Sequence, residues 1–272
     1  MEWLVRFLVL SHKEFLKSQL GWIALAVTLI SVLLSALMGE ASLSGEQRLL
    51  ETSTYFLVDI GVIFVAAFSG STTFAKDFSS RGMAEILVPR GLSRAQLLVY
   101  RFLGQWVNLL LLTLICHLFR WACLEFLAPK PVDRSVILPM ILFTFFKSGL
   151  TLALAWGLAV LARPVIALLG CLCFMAFGSV SANLAALSQI KPGGLLPGEE
   201  LVSEKMSWGL KLLRLWNPNH LTLSSYGAHW ETFSLMEFLG RLAWGVGAIS
   251  LFICIACALV SRKPIEAFGT NS

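Results

Sequence analysis

Long apolar runs dominate this chain, and short polar stretches separate them. The runs cover residues 21–38, 55–74, 102–126, 136–161, 165–187 and 238–260. Each is close to or above the ~20 residues that cross a hydrocarbon layer as a helix. In lipid every backbone N–H and C=O must be satisfied internally, so runs of this kind predict helices. The expected fold is an all-α membrane protein, a six-transmembrane-helix bundle, with residues 1–272 forming a single domain. Two further stretches carry the helical period without spanning length. In residues 2–19, Trp3, Phe7, Leu10, Glu14 and Lys17 set apolar against charged faces. They predict an N-terminal interfacial helix within residues 1–20, or alternatively an extension of the first span. In residues 203–216, Trp208, Leu212 and Leu215 form an apolar set within the polar region 189–236. Turn signals at Lys191-Pro192-Gly193-Gly194 and Pro197-Gly198 precede that segment.

The polar positions orient the runs. Between the second and third runs, residues 76–101 hold Lys76, Arg81, Arg90, Arg94 and Arg101 against Asp77 and Glu85. Loops retained in the cytoplasm carry excess Lys and Arg. This segment is therefore placed inside, and so are both termini. Glu40, Glu46 and Glu51 on the far side of the first run face out, while Arg262 and Lys263 close the last run on the inside. Gly82 and Gly91 bracket the short apolar segment 84–88. Ser93 can cap a helix that begins near Arg94. Arg163-Pro164 reads as a tight inner turn, and Gly178, Ser179, Ser181 and Ala182 as a close-packing seam, within the subunit or between copies.

Composition agrees with the pattern. The chain is 57% hydrophobic and 14% charged, whereas a soluble domain carries about 25% charge. Its mean hydropathy is +0.78. The net charge of +5 follows from topology, and no basic run is interleaved with aromatics as nucleic-acid binding would need. All six cysteines fall in apolar runs, including Cys254 and Cys257, and read as small buried residues. His12, His117, His220 and His229 are scattered, so no metal set forms. No phosphate-binding loop, nucleophile elbow or HExxH pair occurs, which predicts a chain without catalytic residues or cofactor of its own.

The ionisable residues inside the runs include Asp59, Arg120 and Lys147. Such groups are costly in lipid and need a partner or water. Counted from the outer ends of the apolar runs, Asp59 and Arg120 lie at similar depth, and an Asp59–Arg120 pair is expected. Lys147 lies deeper and is expected to face the bundle interior or a water-filled cavity. The alternative is that Arg120 reaches outward and Asp59 sits among head groups, without contact.

The order of residues in 76–101 adds a resemblance. Gly82-Met83-Ala84-Glu85-Ile86-Leu87, then Arg90-Gly91-Leu92-Ser93-Arg94, then Arg101-Phe102-Leu103-Gly104 resembles the second cytoplasmic segment of ABC-2 type transporter permeases. There a Gly-Thr-x-Glu-x-Leu-Leu run leads to Pro-x-Ser-Arg and then to Gly-Lys or Gly-Arg. This chain has Met83 at the Thr position, Gly91 at the Pro and Tyr100 at the Gly before Arg101. The resemblance implies a cytoplasmic coupling helix between spans 2 and 3, with Glu85, Ile86, Leu87, Arg90, Ser93 and Arg94 meeting an ATPase. It implies the membrane subunit of a type V-like ABC transporter, with a separate ABC ATPase subunit and a second permease copy or paralogue as partners. ATP hydrolysis would then drive substrate export or mechanical work. It further implies a multi-pass protein of the cell membrane, with the bacterial inner membrane expected. The alternative is a non-transporting scaffold that anchors envelope proteins through the outer loop 189–236.

Overall fold

A computed structural model of the chain describes residues 2–17, 46–78, 91–127, 137–187 and 235–262, with isolated positions between them. Six helices account for almost all of these: α1 (Glu2–Lys17), α2 (Glu46–Asp77), α3 (Arg94–Leu127), α4 (Ile137–Leu161), α5 (Pro164–Leu187) and α6 (Leu235–Arg262). No strand occurs among the described residues. Among the described residues four helices, α2, α3, α4 and α6, are long and apolar enough to cross a membrane. The expected first span is described only at positions 22, 23, 26, 29, 30 and 33. These are helical and exposed, and their spacing puts them on one helix face. Side chains of the 178–182 seam and the amphipathic segment 203–216 lie outside the description.

The burial pattern is inverted relative to a soluble protein. Arg101 is 0% exposed and Asp59 1%, while Phe126 is 88% exposed. On α3, Val107, Leu111, Leu114, Ile115 and Leu118 are exposed along one face, and on α2 so are Phe56, Ile60 and Phe64. Spacings of three and four place each set on a single stripe. Such stripes meet lipid as favourably as they would meet a core, whereas buried charges need partners.

The central helix is α4. It packs on α2, α3, α5 and α6, and its buried residues include Phe143, Leu150, Leu152 and Trp156. Pro164 opens α5 at its first position, where the missing N–H costs no hydrogen bond. This makes α4 and α5 a tight hairpin at Arg163-Pro164, as expected. The start of α2 differs from expectation. It continues nine residues further back, through Glu46, Arg48 and Glu51. Periodicity of the apolar run could not reveal a polar helical extension.

Helix α1 rests on α3. Phe7 and Ser11 are buried against it, while Trp3, Val5, Val9 and Leu16 are exposed. Gly104 makes the approach possible. A Cβ there would lie 2.5 Å from the Ser11 hydroxyl and 2.9 Å from its Cβ.

Candidate functional site

The end of the bundle that holds residues 76–101 is built around one arginine. Arg101 lies two turns into α3 and faces inward. Its Nε donates to Asp77 Oδ2 at 2.6 Å, and its Nη2 to Asp77 Oδ1 at 2.9 Å. The same Nη2 donates to Glu14 Oε2 at 2.8 Å, and Nη1 to Ser11 Oγ at 3.3 Å. The planar guanidinium fork thus grips the last residue of α2 bidentately and reaches α1 with its remaining donors. Asp77 is buried with it, and Glu14 is about one-third exposed. Removing a buried ionic partner costs about 3–5 kcal/mol, because the other charge is left uncompensated. One side chain therefore ties three helices together.

The segment between α2 and α3 is anchored to this hub. Phe78 follows Asp77, is fully buried, and stacks on Phe74 at 4.7 Å. Phe74 meets the ring of Trp156 on α4 edge-on at 5.5 Å. Ala84, Leu87 and Val88 are helical. That short helix ends in a Schellman turn: Leu92 N–H donates to Leu87 O, and Gly91 N–H to Val88 O. Gly91 carries the left-handed backbone this turn requires, with φ of 90°. Leu92 is buried beside the half-buried Leu87, the apolar contact that accompanies such a turn. Ser93 then caps α3. Its hydroxyl accepts from Gln96 N–H at 3.2 Å, and Gln96 Oε1 accepts from Ser93 N–H at 3.0 Å. This reciprocal capping box fixes the start of α3 where the sequence placed it.

Of the residues expected to meet an ATPase, Leu87 is half-buried, Ser93 exposed and Arg94 half-buried. Glu85, Ile86 and Arg90 lie outside the described residues. Sequence reading missed the Arg101–Asp77–Glu14 hub. It counted Arg101 and Asp77 as loop charges and Glu14 as part of a solvated face. A signal was present: Ser11 and Glu14 are three apart, on the same α1 face as Phe7.

Deeper in the bundle the expected Asp59–Arg120 pair does not form. Lys147 Nζ on α4 donates to Asp59 Oδ2 on α2 at 2.6 Å, with both side chains buried. Arg120 Nε donates to Thr54 Oγ1 at 2.9 Å, and Nη1 reaches Met140 Sδ at 3.3 Å. The reason is depth. On α2, Arg120 is level with Thr54, five residues before Asp59. Asp59 therefore lies about 7 Å further along the helix, level with Lys147. Counting from apolar boundaries had placed Asp59 too shallow. Lys147 does face the bundle interior, as expected. His117 Nε2 lies 3.2 Å from Thr144 Oγ1, one turn from Lys147 along α4. Polar groups of α2, α3 and α4 thus occupy the core of the bundle.

No protein-family model matches the chain, and no curated protein matches it.

Proposed function

We propose that this chain is the membrane-spanning permease subunit of an ABC-2 type transporter. In this reading six spans cross a cell membrane, both termini and residues 76–101 face the cytoplasm, and a separate ATPase binds there. The working unit contains two permeases, either copies or paralogues. The observation that carries the reading is the short helix ending at Val88, held between α2 and α3 by the Schellman turn and the Ser93 cap. A helix fixed at its C-terminal end by these bonds and packed through Ala84 and Leu87 against a core can transmit a push rather than absorb it. Two routes lead inward. Leu92 and Phe78 belong to the same core as Phe74 and Trp156, which reaches α4. Arg101 joins the base of α2 and α3 to α1. Closure of an ATPase dimer beneath this point would tilt α2 and α3 relative to α4, as packed elements sliding between discrete arrangements.

The test is association and turnover. The chain should co-purify with an ABC ATPase and stimulate its hydrolysis. Charges at the rim of a small docking surface govern register more than affinity. Arg94→Glu and Glu85→Arg should therefore lower coupled hydrolysis while the permease keeps its thermal midpoint. Unchanged assembly and turnover in both variants would remove the docking site.

A further inference from the structure

Between α1 and α2, with α3 behind them, lies a cleft of about 340 Å³. Its walls differ in hydrogen-bonding character. On the α3 wall, Gln105 Oε1 accepts from Trp156 Nε1 at 3.1 Å, and Asn108 Oδ1 is engaged by His12 Nδ1 at 3.0 Å. One lone pair of each amide oxygen is thus engaged, and the amide nitrogens are the donors this wall offers a ligand. On the α2 wall the hydroxyls are spent as donors. Thr72 Oγ1 donates to Phe68 O at 2.7 Å and Ser69 Oγ to Ala66 O at 3.3 Å. Each presents lone pairs outward. Glu14 adds a carboxylate from α1, with one oxygen on Arg101. Lys76, exposed in the last turn of α2, also lines the cleft.

The cleft also has a direction. Phe68 lies eight residues before Lys76, about 12 Å deeper at helical rise, and Phe15 and Leu109 add apolar surface. The lining thus passes from charge to aromatic, the same order in which head groups and acyl chains follow one another at a membrane surface. The volume is near the lower limit of ligand sites. It accommodates a head group and glycerol, while the chains remain in the bilayer.

We propose that this cleft binds a phospholipid whose head carries a primary ammonium beside its phosphate, of the phosphatidylethanolamine type. Lys76, Gln105 and Asn108 donate to the phosphate. Glu14, Ser69 and Thr72 accept from the ammonium. A trimethylammonium head has no N–H for those acceptors, and a glycerol head has no cation for Glu14. The site belongs to this chain alone and does not depend on an ATPase partner.

The experiment is native mass spectrometry of the full chain, released from vesicles holding equal parts phosphatidylethanolamine, phosphatidylcholine and phosphatidylglycerol. One ethanolamine lipid per chain should be retained in preference to the other two. Lys76→Met and Thr72→Val replace exposed side chains and should each reduce that preference about tenfold, the loss of one charge-assisted hydrogen bond. Equal retention of the three lipids overturns the site, and so does an unchanged preference in both variants. Displacement of the lipid by millimolar glycerophosphoethanolamine also overturns it, since the site would then take a soluble phosphoester without acyl chains.

Discussion

Asp59 and Lys147 show how far a single residue can be read. That each needed a partner or water followed from the cost of a charge in lipid. Which partner did not follow, because pairing depends on the relative depth of two helices, and the start of α2 is hidden in polar residues. The observed pair is buried on both sides, and Asp59 Oδ1 has no hydrogen-bond partner among the described residues. A pair satisfied on one oxygen holds α2 to α4 but is poorly compensated for desolvation. Lys147→Met should therefore destabilise the chain by about 3–5 kcal/mol, because it strands a buried carboxylate. Asp59→Leu combined with Lys147→Met should restore most of that loss, since an apolar pair of similar volume suits the same place. Thermal midpoints in detergent give the comparison. A double variant no more stable than Lys147→Met alone would mean that the two residues are not coupled.

At the scale of elements, the helix boundaries were legible wherever a residue with a local mechanism marks them. Ser93 caps α3, Pro164 opens α5 and Gly91 ends the short helix. Those signals act within a few residues, so sequence order suffices. The docking of α1 was not legible, because Ser11, Glu14 and Gly104 acquire meaning only when α1 and α3 are side by side. Overpacking at that contact should separate the two helices. Gly104→Val places two methyl groups where Ser11 already sits, at a cost of about 1–3 kcal/mol. Exchange of α1 amide protons should then rise about tenfold or more, while the amides of α4, which makes no part of this contact, keep their protection. An equal rise in both helices would show that Gly104 supports the whole bundle rather than the α1 contact.

Across the whole molecule, orientation rests on charge, and the structure changes how those charges count. Arg101 is neutralised by Asp77 and Glu14 and sealed from water, so it is no longer a free loop cation. Lys76, Arg81, Arg90 and Arg94 still outnumber Glu85 in the same segment, so the charge bias behind the proposed cytoplasmic placement is kept. Helix length bears on the other side. At 32 residues α2 extends about 48 Å, longer than the roughly 30 Å of hydrocarbon in a bilayer. In the proposed orientation the acidic start of α2 is the end translocated, at little cost, whereas the opposite orientation would have to translocate the loop cations. Single cysteines, introduced after the six native ones are replaced, give the test. Ser93 and Ser261, exposed at the start of α3 and in the last turn of α6, should react with a membrane-impermeant maleimide only after the cells are opened. Ser44 and Ser203 should react in intact cells. Labelling of Ser93 from outside would invert the bundle and place the Arg101 hub, the short helix and the cleft beside Lys76 on the face away from any ATPase.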